Sequence, residues 1–99
     1  MRVAQVVGTV TLNRCLPEFI GARLKVALPY SLQELLDDKV PSGPMVVAWD
    51  ELGADTGCQI ALAEGPEASQ PFRPKIKPVD AYNAAILDDV SLDPNLKSS

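Results

Sequence analysis

A two-residue rhythm carried by short segments is the strongest constraint on this chain. Residues 2–12, RVAQVVGTVTL, put Ala4, Val6, Gly8, Val10 and Leu12 on one face and Val3, Gln5, Val7, Thr9 and Thr11 on the other. That is the alternation of a strand apolar on one side and mixed on the other, and Gly8 in its middle predicts a bulge or sharp bend. Residues 23–28 alternate too, with Leu24, Val26 and Leu28 opposite Arg23 and Lys25. Residues 45–49 are an unbroken apolar run. In residues 58–63, Cys58, Ile60 and Leu62 face away from Gln59, Ala61 and Ala63. A fifth strand is expected at residues 84–92, with Ala84, Ile86, Asp88, Val90 and Leu92 on one side and Ala85, Leu87, Asp89 and Ser91 on the other.

Two connections carry their own signals. Ser31 followed by Glu34 has capping-box spacing, and Leu32, Leu35 and Leu36 share a helical face, so one or two turns of helix are expected within residues 31–43 before Pro41 and Gly43 end them. Residues 64–78 hold four prolines and the basic set Arg73, Lys75 and Lys77. Each proline removes a ladder donor, so this stretch is expected to run extended as a connector and not as a central strand. Five short strands, the first bent at a glycine, with a short helix, predict an all-β fold: a small closed five-stranded OB-like barrel, closure being the way such a sheet avoids free edges. One barrel domain is expected over residues 1–93 and a flexible tail over 94–99.

Size and charge then narrow the function. A chain of 99 residues buries only about 60–65% of its unfolded surface, yet 46% of the residues are hydrophobic, which leaves apolar surface for contacts between subunits. The net charge is −4, the wrong sign for a phosphate backbone or an anionic membrane. The opening MRVAQVV has no charged n-region and apolar core of a secretory signal. A cytoplasmic location is therefore expected, with Cys15 and Cys58 as reduced thiols.

The chain contains no histidine, which removes the commonest general base and metal ligand. Two cysteines 43 positions apart form no zinc cluster, so neither metal nor cofactor is expected. The densest set of candidate groups is DELGADTG, residues 50–57, with Asp50, Glu51 and Asp55 among Gly53, Ala54 and Gly57. Read as a calcium loop from Asp50, it puts Leu52, Ala54 and Asp55 at positions three, five and six and Ala61 at twelve, so the ligand pattern fails. Gly53 and Gly57 lack the lysine and helix of a phosphate loop. A carboxylate pair doing acid/base work would lack a nucleophile and a cationic clamp nearby. The default is a glycine-shaped connection between two strands.

The order of several short motifs resembles the EutN/CcmL family, the pentameric vertex proteins of bacterial microcompartment shells. The residues that carry it are Gly8-Thr9-Val10, Gly21, Leu24, Val47-Ala48-Trp49-Asp50 with Leu52-Gly53-Ala54 and Gly57, then Glu64-Gly65, Pro78-Val79-Asp80-Ala81 and Ile86-Leu87-Asp88. The resemblance implies an OB-like barrel, no enzymatic activity, and a homopentamer that fills five-fold corners among hexameric shell proteins. It implies that Asp50, Gly53, Ala54, Asp55, Gly57, Pro78, Val79 and Asp80 lie near subunit contacts or the central axis. Asp55 stands where the family often has glycine, and five copies facing an axis would make an acidic ring that repels anions. Pro66-Glu67-Ala68-Ser69 also departs from the family, which usually has small and hydroxyl residues followed by arginine there. The alternative functions are an OB-type module for single-stranded nucleic acid or a small ligand, which would need a basic groove and exposed stacking aromatics, and a small enzyme using Asp50, Glu51 and Asp55. With five aromatic residues and net acidity, the chain supplies little for the nucleic-acid reading.

Overall fold

The computed structural model describes residues 1–12, 17–19, 21, 23–73, 79–93 and 95. Five strands, β1 (Arg2–Val10), β2 (Leu24–Pro29), β3 (Val46–Trp49), β4 (Gln59–Glu64) and β5 (Ala81–Leu87), close into a barrel in the order β1-β2-β3-β5-β4. This is the strand order of an OB-type barrel. Its core is Ala4, Val6, Ala27, Ala48, Ala54, Ile60, Leu62 and Ala81, with Val46 and Cys58 packed against them. Small residues predominate because five strands enclose a narrow interior.

The expected glycine irregularity is present. The β1–β2 register slips between Val6 and Gly8, leaving Val7 as the extra residue of a bulge. The slip also exchanges the faces of β2. Ala4 pairs with Pro29 and Val6 with Ala27, so Ala27 enters the core, whereas beyond the bulge Val10 pairs with Leu24. The apolar face expected from Leu24, Val26 and Leu28 is therefore not the face lining the interior. Leu24 is buried instead beside Trp49, whose ring lies tilted against Phe19 (5.8 Å) and edge-on to Phe72 (4.8 Å).

The capping box forms as read. Ser31 Oγ accepts from Glu34 N at 3.1 Å and Glu34 Oε1 accepts from Ser31 N at 2.9 Å, opening α1 (Leu32–Leu36). Glu34 Oε2 also accepts from Ser42 N (2.8 Å) and Ser42 Oγ (2.7 Å), tying the returning chain to the helix. These bonds, that from the Ser31 backbone first, hold the Glu34 carboxyl at about 2, well below its ordinary range.

Two further expectations fail. Residues 66–72 are not extended but coil into α2 (Pro66–Ser69) and a 3₁₀ turn at Gln70–Phe72. Pro66 takes the first helical turn, where a missing N–H costs nothing. Of the basic set, Arg73 follows that turn, while Lys75 and Lys77 lie outside the described residues, as do Cys15 and Pro78. The fifth strand begins at Ala81 and ends at Leu87, not at residues 84–92. Its register against β4 slips between Ala61 and Leu62, so Asn83 faces the interior beside Leu62 and Ala84 is exposed.

Closure is uneven around the barrel. β1 pairs with β2 and β4 over several residues each, but β3 and β5 run parallel and share one rung, Trp49 with Tyr82. Ile86, paired with the buried Ile60, is left 43% exposed.

Candidate functional site

The loop between β3 and β4 is moulded on one side chain. Asp50, 1% exposed, follows the last residue of β3, and its own amide donates to the Arg23 carbonyl at 2.8 Å. Asp50 Oδ1 accepts from Leu52 N (3.0 Å), Gly53 N (3.2 Å) and Asn83 Nδ2 (2.9 Å), and Oδ2 accepts from Ala54 N (2.8 Å). Three successive amides wrapped on one carboxylate bend the chain so sharply that Gly53 takes φ 79°, a value suited to glycine. The bend delivers Ala54 into the core.

The second half of the loop is a tight turn. Cys58 N donates to Asp55 O at 3.0 Å, and Gly57, the third residue of that turn, has φ 98°, as a type II turn requires. Gly57 N donates to Val6 O (2.7 Å) and Val6 N to Cys58 O (2.9 Å), fixing the turn beside the β1 bulge.

Glu51 and Tyr82 meet on the outside of the same seam. Tyr82 Oη donates to Glu51 Oε2 at 3.0 Å. Burial, and then the Glu51 carboxylate, push the tyrosine hydroxyl's pKa upward. The Tyr82 ring stands edge-on to Phe72 at 5.5 Å, continuing the aromatic row from Phe19 and Trp49.

The geometry assigns the three acids different work. A carboxylate offers about four acceptor positions, and Asp50 spends its four on the loop and on Asn83. Asp50, 1% exposed and bonded to four donors, is thus committed to shape and not presented to solvent. Glu51 accepts from Tyr82. Asp55 is exposed and contributes its carbonyl to the turn. Among the described residues no three His, Cys, Asp or Glu side chains are grouped to hold a metal ion.

Asp50, Gly53, Ala54, Asp55 and Gly57 therefore share one rigid loop. Val79 and Asp80 are placed differently. Because β5 is parallel to β3, they precede the Trp49–Tyr82 rung while the loop follows it, and Asp80 O accepts from Gly65 N at 2.9 Å. Pro78 lies outside the described residues. The residue the sequence reading missed is Asn83, also 1% exposed. Its one signal is a polar side chain inside the apolar AYNAAIL.

A closed five-stranded barrel whose β3–β4 loop is shaped by its own Asp50 defines an OB-like module. Within that class the chain belongs to the EutN/CcmL family: the profile described as "Ethanolamine utilisation protein EutN/carboxysome" matches residues 1–88. A curated relative, the bacterial microcompartment shell vertex protein EutN of Salmonella typhimurium, is 40% identical over 50 residues. That match spans 50% of this chain and 50% of the relative. Among solved structures, CcmL of Gloeobacter violaceus superposes with TM-score 0.82 at 26% identity, over 95% of this chain and 92% of that one. The GrpN pentameric microcompartment shell protein from Rhodospirillum rubrum gives 0.78 at 25%, over 94% and 100%. EutN from Escherichia coli gives 0.76 at 27%, over 93% and 89%.

Proposed function

We propose that this chain is a non-enzymatic building block of a bacterial microcompartment shell, assembling as a homopentamer that caps five-fold vertices. The observation that carries the reading is the family match over residues 1–88, supported by likeness along nearly the whole chain to a pentameric shell protein. A heterologous interface repeated by rotation closes into a ring, and five-fold rings let flat hexagonal tiling curve shut. Exposed Met45, Val47, Leu52 and Ile86 supply apolar surface for such contacts.

In this reading hexameric shell proteins are the outer partners. The loop carrying Asp50, Gly53, Ala54, Asp55 and Gly57 lies near the axis or a subunit contact, as do Pro78, Val79 and Asp80. No described helix is long and apolar enough to cross a membrane, and the shell is the proposed location. Native mass spectrometry tests the assembly directly. A species of about 53 kDa, five times the 10.6 kDa chain, is expected, and a stable monomer as the only species at micromolar concentration would refute the reading.

A further inference from the structure

We infer that Asn83 is a latch: by holding Asp50 it joins the β3–β5 seam and the 50–57 loop into one cooperative unit, so that opening the seam releases the loop. The placement is specific. The seam has a single backbone rung, Trp49 with Tyr82, and the residues following each partner are Asp50 and Asn83. Their side chains, both 1% exposed, form the next rung at 2.9 Å. The same Asp50 carboxylate holds the amides of Leu52, Gly53 and Ala54. One group thus closes the barrel and bends the loop.

The chemistry of Asn83 singles it out. Its amide nitrogen must face the Asp50 carboxylate, since the reverse orientation would set oxygen against oxygen. Its Oδ1 is then buried without a partner among the described groups. A leucine of similar size would avoid that desolvation penalty in a position paired with the buried Leu62. Asparagine gives a return at this site only through its donor to Asp50.

The test is amide hydrogen exchange on Asn83→Leu. The amides of Leu52, Gly53 and Ala54 are expected to exchange at least about ten-fold faster, while those of the β1–β2 ladder stay protected and the melting temperature moves by less than about 4 °C. Tyr82→Phe, which removes only the outer bond to Glu51, is expected to leave the three loop amides unchanged. Unchanged loop exchange in Asn83→Leu, or acceleration shared equally by every strand, overturns the latch.

A measurement on the unmutated protein stands if the variant does not fold. The Asn83 side-chain amide and the three loop amides are expected to share one opening constant, and distinct constants overturn the proposal. The latch rests on this geometry and not on the pentamer reading. If Asn83→Leu frees the loop and the five-subunit mass persists, the loop's role in assembly fails while the latch stands.

Discussion

Asp50 shows how much of a small domain can depend on one buried side chain. Leaving a buried donor without its acceptor costs about 1–3 kcal/mol, and Asp50 satisfies four donors. Relaxation and water entry recover part of that sum, so Asp50→Ala is expected to lower unfolding free energy by about 3 kcal/mol. Urea denaturation measures it, and a loss below about 1 kcal/mol would show that the loop holds its shape by other means. The sequence displayed this acid but not its role. Ligand spacing argues against a calcium loop but says nothing of what the acid does instead: the partner that completes it, Asn83, lies 33 residues away, and no local pattern reports a contact at that range.

At the scale of elements, local chemistry was the legible part. The α1 capping box needs only Ser31 and Glu34, three residues apart, and it forms as spaced. It also carries a pH dependence. The Glu34 carboxyl is held at about 2 in the folded chain, below the ordinary 4.5, so its contribution is present above 4.5 and is lost as pH falls from there through about 2. Glu64 shifts in the same direction through its bond from Arg2. Glu34→Gln is expected to flatten the acid limb of thermal stability between pH 5 and pH 2, and an unchanged limb would remove the carboxylate as its cause. The misread elements share a cause too. The face of β2 is reset by the bulge at Val7, and β5 was shifted because its inward residue is polar Asn83 while Ile86, with a core partner, remains partly exposed. Residues 66–72 coil because Pro66 starts a helix as readily as it breaks a strand. In the two strands tertiary placement overrides periodicity, whereas at Pro66 the same local residue admits two outcomes.

For the whole molecule, charge and closure decide. If five loops meet on an axis, five Asp55 carboxylates repel one another, and that repulsion is screened by salt. The pentamer is then expected to dissociate at higher temperature as salt rises, and Asp55→Asn to be stable at low salt and insensitive to it. Equal salt dependence in both proteins, read by native mass against temperature, would move Asp55 away from the axis. The route by which the barrel closes has a different consequence, one of time. β1 must wait for β4 at Gln59–Glu64, and β3 for β5 at Ala81–Leu87, so no closed part of the structure exists until residue 87 has left the ribosome. Closing the barrel thus joins strands from Arg2 to Leu87, on the roughly millisecond-to-second scale of barrels built from non-local pairs. In the proposed pentamer, a subunit can therefore offer a finished surface to its neighbours only after β5 has emerged and paired.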